Sequence, residues 1–221
     1  LKGRHIELAR RSIAVAASFG LASALSVVVL GDESGYSAGE SQKMKLAAIE
    51  AMWETEPAPA SFTLFGIPDQ ENRETKYAIH IPWVMGLIGT RSLTEEIAGI
   101  SELEQENATK IRNGLIAYDA LMTIRQDRDQ TPSEVRARFE ANSDDLGYAL
   151  LLKRYVDDPR EATDAQIAQA AEDTIPHVWP LFWAFRIMVG LGMLFIGTMT
   201  YFFYRANFKQ MRFPRPALWV A

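Results

Sequence analysis

Two apolar runs near the ends of the chain bracket a polar middle. Ser12 to Leu30 carries no charged side chain; about 19 residues of helix is roughly 28 Å, close to one bilayer core. Val178 to Tyr204 is a second run, broken by a single charge, Arg186. Each predicts a transmembrane helix. Between them, Leu46, Ile49 and Trp53 recur at i, i+3 and i+7 and predict an amphipathic helix over Ser41 to Glu54. Pro57, Pro59 and Pro68 make the following stretch extended, and Phe62, Leu64, Phe65 and Ile67 leave it apolar enough that it must lie on protein or membrane. Tyr77 to Ile81 reads as a short strand or extended arm ended by Pro82, and Trp83 to Ile88 as a brief apolar patch. Helical periodicity returns from Glu102 to about Gln126 through Ile111, Leu115, Tyr118 and Met122. Thr131 to Glu134 is a capping box with proline in the first turn, predicting a helix through Val135 and Phe139 towards Tyr148 and Leu152. Thr163 to Gln166 repeats the signal for a shorter helix ending before Pro176.

The pattern predicts an all-α membrane protein, two transmembrane helices flanking a long, mostly helical external loop. Its expected segments are a basic lead and first span (1–30), the loop (31–176), the second span (177–205) and a basic stretch opening another apolar run (206–221). Because the chain starts at Leu1 and closes on the apolar Leu218 to Ala221, it reads as an internal stretch of a larger membrane protein.

Charge adds direction. The loop holds 27 acidic against 14 basic side chains, which argues against a nucleic-acid partner. Lys2, Arg4, Arg10 and Arg11 precede the first span, and Arg205, Lys209, Arg212 and Arg215 follow the second. Lys and Arg accumulate on the cytoplasmic side, so both ends read as cytoplasmic and the loop as external, periplasmic in a bacterial inner membrane. Ala22-Ser23-Ala24 superficially fits a signal-peptidase site, but the apolar run continues to Leu30, so the first run is expected to stay as a span. With no cysteine, no disulfide braces the loop.

Some residues carry candidate chemistry. Gly31, Gly35 and Gly39 are expected to break the first helix at the external surface, placing Asp32, Glu33 and Tyr36 at headgroup depth, where the acids equally fit solvated loop charges. Lys45 and Glu50 fall at opposite margins of the Leu46/Ile49/Trp53 stripe, about 140° apart around the helix. Snorkelling surface residues would give the same picture. An arginine inside a span normally faces an anionic partner or polar cavity, which singles out Arg186. Met188, Met193 and Met199 on the same span read as packing. His80 has no companion at metal-ligand spacing.

In order along the chain, GDESGY (Gly31 to Tyr36), QKMKLAAIEAMWET (Gln42 to Thr55), PAPASFTLFGIPD (Pro57 to Asp69), RNG (Arg112 to Gly114), DLGYALLLKRY (Asp145 to Tyr155) and FWAFRIMVGLG (Phe182 to Gly192) make the chain resemble subunit I of cytochrome bd, a bacterial quinol oxidase. The likeness covers nearly all of the chain and is most specific from Gly31 to Asp69. It implies that the loop binds ubiquinol or menaquinol through Lys45 and Glu50, with Asp32 and Tyr36 lining the site. It implies that Met188 is an axial ligand of the low-spin haem b iron and that Arg186 lies beside that haem. The other ligand of that haem, and those of the high-spin haem b and haem d where oxygen is reduced, belong to parts of the family outside this chain. The rest of subunit I, subunit II and a small accessory subunit are the implied partners, with the lipid bilayer.

Quinol oxidation releases two electrons and two protons, so its site needs a proton acceptor, a donor for a ring oxygen and an apolar wall. Glu50, Lys45 and the Leu46/Ile49/Trp53 stripe are the expected suppliers. Topology alone favours a two-span sensor with a periplasmic ligand-binding domain, and a structural subunit without redox chemistry is a third reading.

Overall fold

The computed structural model describes residues 5–126 and 132–208. Two helices among these are long and apolar enough to cross a membrane, α1 (Ile6–Ser41) and, numbered in chain order, α7 (Val178–Phe208). Between them lie α2 (Lys43–Glu50), an antiparallel hairpin of β1 (Phe62–Asp69) and β2 (Glu74–Ile81), and four helices: α3 (Ile100–Gln126), α4 (Ser133–Asn142), α5 (Leu146–Ala149) and α6 (Asp164–Glu172). This is the all-α membrane architecture the sequence predicts, with one hairpin set into it. The chain forms two units, residues 1–38 with 183–221, and residues 39–182.

The first unit is an antiparallel helix pair. Near its N-terminal end α1 presents Arg10, whose Nε donates to the Ala206 carbonyl near the end of α7 at 2.9 Å. At Gly20 an added Cβ would lie 2.9 Å from Met199 Sδ, so the thioether of the neighbouring helix packs directly over the glycine. Among the described residues of this unit only a narrow seam of Ala17, Phe202 and Ala206 is buried; Phe19, Val27, Leu30, Leu191 and Met193 face outward. Such an apolar exterior suits lipid or further helices rather than water.

Gly31 and Gly35 do not break α1, which runs on to Ser41, so Asp32 and Tyr36 sit on continuous helix. A helical glycine costs roughly 1 kcal/mol, too little to end a long run of satisfied backbone hydrogen bonds. The helix passes through Gly39 and ends two residues later. An added Cβ at Gly39 would lie 3.2 Å from Leu46 Cδ2 and 3.6 Å from the Gly89 carbonyl. At this position glycine allows close packing.

The second unit has two apolar centres. Met52, Ala60, Met85 and Ile97 form one beneath the hairpin, with Leu46 and Phe62 packed on it. Ile111, Leu152, Ile167, Ala170 and Ala171 form the other, on α3. The RNG and DLGY strings meet there. An added Cβ at Gly114 would come 2.4 Å from the Asp145 carbonyl oxygen, while Asn113 Nδ2 donates to Asp145 Oδ2 at 2.9 Å. Close backbone approach and a hydrogen bond together fix the α3–α5 crossing. The helix expected from Thr131 is interrupted: α4 ends at Asn142, and tight turns separate it from α5 and follow α5 to Arg154. Thr131 lies outside the described residues. The Thr163/Gln166 capping box is present, with Thr163 N donating to Gln166 Oε1 at 2.8 Å.

Candidate functional site

The site region is built around α2, a helix shorter than its apolar periodicity predicts. Ala51 takes a left-handed conformation (φ 52°, ψ 40°) and closes the helix by donating to Ala47 and Ala48 carbonyls, so Trp53 lies beyond it. The carbonyls that follow are not lost: Met52 O and Trp53 O accept from Ile100 N at 2.9 Å and Ser101 N at 3.0 Å, groups at the start of α3 that lack partners within that helix. Thr75 of β2 ties the same turn down, donating to Ala51 O at 3.2 Å and accepting from Trp53 Nε1 at 3.0 Å. A close backbone contact completes the seat, since a Cβ at Gly99 would come 2.2 Å from the Glu54 carbonyl carbon.

This turn buries Glu50. Its side chain is 2 % exposed, and Thr63 N of β1 donates to Oε2 at 3.4 Å. A carboxylate so enclosed is held by the fold rather than by solvent. Thr63 faces His80 across the hairpin, and its hydroxyl lies 3.3 Å from His80 Nδ1. The Ser61 hydroxyl is also 3.3 Å from Nδ1 and donates to Glu56 Oε2 at 2.9 Å, an oxygen that accepts Ser61 N at 3.0 Å as well. A polar chain thus starts at Glu50, which is buried, and ends at exposed His80 and half-buried Glu56. His80 was considered in the sequence only as a metal ligand; the strand pairing gives it these hydroxyls.

Lys45 occupies the opposite side of α2. It is exposed and lines a cleft of about 670 Å³ with Lys43, Glu106, Asn107, Lys110 and Tyr148. That volume lies within the range of small-molecule sites. Across the cleft, Lys110 Nζ pairs with Glu106 at 2.7 Å and lies 5.5 Å from the Tyr148 ring centre. The Glu106 hydrogen bond raises the Lys110 pKa, and Lys110 lowers that of Glu106. Glu50 does not line this cleft, and Leu46 of the expected wall is spent on the Met52/Met85 core. Of Lys45 and Glu50, only Lys45 lines this cleft.

The other sequence-derived residues lie in the helix-pair unit. Asp32 and Tyr36, one turn apart, share a face of α1. Arg186 is half-buried and Met188 is 61 % exposed. α7 is helical throughout, so these two point about 200° apart. Met188 presents its thioether outward from the pair, where a flat iron-bearing ring could be met; sulfur is an accepted axial donor for haem iron.

Comparison with known proteins gives this geometry its setting. The family described as cytochrome bd terminal oxidase subunit I matches residues 1–221. The chain is 38 % identical over 199 residues to the cytochrome bd-II ubiquinol oxidase subunit 1 of Escherichia coli K12, covering 90 % of this chain and 38 % of that protein. It is 28 % identical over 106 residues to the cytochrome bd ubiquinol oxidase subunit 1 of Bacillus subtilis 168, covering 48 % of this chain and 23 % of that one. The chain thus spans well under half the length of these relatives.

Proposed function

Since the chain belongs to the cytochrome bd terminal oxidase subunit I family, we propose that it is the part of a respiratory oxidase that oxidises quinol at the periplasmic face and delivers the electrons to a low-spin haem b. The observation that carries the reading is Glu50: a buried carboxylate closed in by a turn and a strand, in a chain whose E. coli relative is named a ubiquinol oxidase. Family membership sets aside the two-span sensor that topology alone allows.

The roles divide along α2. Lys45, at the cleft, donates to a quinol oxygen and supplies positive charge where the ring loses its protons. Glu50 is the proton acceptor. Around the helix Ile49 lies between the two, so the ring approaches Glu50 over this half-buried side chain. By likeness to the family, Asp32 and Tyr36 also take part in quinol binding. Met188 would hold the low-spin haem b through its thioether sulfur, and Arg186, on the far side of α7, would tune it electrostatically; when bound, that haem supplies the one-electron acceptor. Methionine ligation raises its potential towards quinol as donor. Oxygen reduction at the high-spin haem b and haem d falls to the rest of subunit I, assembled with subunit II. Quinol protons leave outward while oxygen reduction takes protons from the cytoplasm, so charge separates without a pump.

Two replacements in the full-length oxidase test this. Met188→Leu is expected to remove the low-spin haem b absorbance, and an unchanged spectrum refutes the ligand assignment. Glu50→Gln is expected to lower quinol-driven oxygen consumption by about 10²-fold or more, the scale of a lost general base. Full turnover would remove Glu50 from that role.

A further inference from the structure

The cleft on the Lys45 side of α2 carries more positive charge than a quinol uses. Lys43, Lys45 and Lys110 line it, against two carboxylates, Glu40 and Glu106. Glu106 is already paired with Lys110 at 2.7 Å, and among the described residues Lys43 and Lys45 have no carboxylate within ion-pair distance. Three cations against two anions make the cleft net positive, in a loop that carries 27 acidic against 14 basic side chains. A neutral quinol needs one donor at a ring oxygen, and Lys45 supplies it. Lys43 and Lys110 have no part in that reading.

We infer that this cleft holds the phosphate of an anionic phospholipid from the leaflet next to the loop, with Lys43 and Lys110 as its cations. Position favours a lipid as the source of that phosphate. The lining residues all belong to the second unit, and among them are Glu40 and Ser41, which end α1, and Leu181, in the first turn of α7. Helix α7 is long and apolar enough to cross a membrane. In the same first turn Trp179 is 56 % exposed, and a tryptophan at the end of a span settles at the level of the headgroups. The cleft therefore opens where lipid phosphates lie.

The chemistry of the walls agrees. A lysine ammonium is a compact point charge suited to a phosphate oxygen, and the singly charged phosphodiester of phosphatidylglycerol matches the small positive excess. Lys110 Nζ lies 5.5 Å from the centre of the Tyr148 ring, and the Tyr148 hydroxyl, with no hydrogen-bond partner among the described residues, is free to donate to a second oxygen. Leu103, which is buried, and Leu181, which is half-buried, offer an apolar wall to the first carbons of the acyl chains. An anionic leaflet repels a loop this acidic, and cations placed where the loop joins α7 offset that repulsion.

The test uses the full-length oxidase in phosphatidylcholine nanodiscs holding a trace of phosphatidylglycerol with a photoreactive group in its headgroup. After irradiation the labelled peptides are identified by mass spectrometry, and each variant is first checked for unaltered haem absorbance. Label is expected in the peptides containing Lys43 and Lys110, about fivefold above that from a phosphatidylcholine probe. Lys43→Gln and Lys110→Gln should each lower it about fivefold, the scale of one cation at a charged surface. Glu106→Gln removes the competing carboxylate and should raise it by a similar factor. A purely structural role for the cluster predicts no such gain, so unchanged or reduced labelling in Glu106→Gln overturns the proposal, as does full labelling in Lys43→Gln and Lys110→Gln. Equal labelling by the phosphatidylcholine probe overturns it too. Displacement by inorganic phosphate would make this a site for the free anion, and displacement by a water-soluble ubiquinol would give the cleft to the quinol; either result overturns the lipid. Quinol turnover is not part of the readout, so failure here leaves the roles of Glu50 and Lys45 standing, and full turnover in Glu50→Gln leaves the lipid site standing.

Discussion

Gly99→Ala offers a test of how Glu50 is held. An alanine Cβ there would sit 2.2 Å from the Glu54 carbonyl carbon, 2.5 Å from its Cα and 2.6 Å from its oxygen, all backbone atoms that no rotamer change can move aside. The segments must separate, and three hydrogen bonds cross this seam: Gly99 N to Thr55 Oγ1 at 3.0 Å, Ile100 N to Met52 O at 2.9 Å and Ser101 N to Trp53 O at 3.0 Å. Overpacking costs about 1–3 kcal/mol, and each weakened bond about 1 kcal/mol, so a loss near 4 kcal/mol is expected, about a thousandfold in the local opening equilibrium. Hydrogen–deuterium exchange on the full-length oxidase reads it directly, as lost protection in peptides containing Ile100 and Ser101. Quinol turnover should fall with it, because the displaced turn is the one that buries Glu50. Gly99 is the N-cap of α3, its carbonyl accepting from Leu103 N at 3.1 Å, and alanine is a poorer cap than glycine by only about 1 kcal/mol, so unchanged or improved protection would refute the steric argument outright.

Two further outcomes concern the unit's surface. Asp69 of β1 accepts from Lys76 Nζ at 2.7 Å and from Asn72, and these bonds, the lysine's first, hold its pKa well below the usual carboxylate range. The contribution to hairpin stability is thus complete above the unfolded carboxylate pKa, near pH 4, and is lost as pH falls through the lower folded value. The Lys76 pKa is raised by Asp69 and then Glu74, so its contribution is complete below about pH 10 and is lost as pH rises through the raised value. Exchange in the β1–β2 peptides should be flat between those limits after correction for intrinsic rates; a Lys76→Ala enzyme with an unshifted Asp69 titration would contradict the assignment. Thr163→Ala removes the hydroxyl half of the α6 capping box and should cost about 1 kcal/mol, read as roughly fivefold faster exchange at Gln166 N–H. Thr163→Ser should restore it.

The legible features were those with strong local signals. Long uncharged runs give α1 and α7; the Thr163/Gln166 pair gives the start of α6; the Ile111 to Met122 periodicity gives α3. The end of α2 was not legible, because a left-handed Ala51 has no glycine to announce it and is imposed by the carbonyl contacts of the following residues with α3. Gly31 and Gly35 misled in the other direction, since the backbone tolerates them in a helix. In the candidate site, the placement of Glu50 and Lys45 on opposite sides of α2 was legible from their spacing, but which of them is buried depends on which side the hairpin covers. The link from Thr63 to His80 needs the strand register, and β1 departs from simple pairing between Thr63 and Phe65 and again before Ile67. Irregularities of that kind leave no periodicity to read.

Gln70, in the turn of the hairpin, accepts from the backbone N–H of Val178 at 3.1 Å, 108 positions later. A contact of such long sequence separation closes late, after most of the intervening chain has been made. During synthesis the tip can first be tied to α3 by the Arg73–Glu104 ion pair at 2.6 Å, and the first turn of α7 adds the later catch. A truncation just before α7 would leave every residue of the Glu50 pocket in place in the sequence and still deliver an arm whose tip keeps its ion pair to α3 but lacks this last catch.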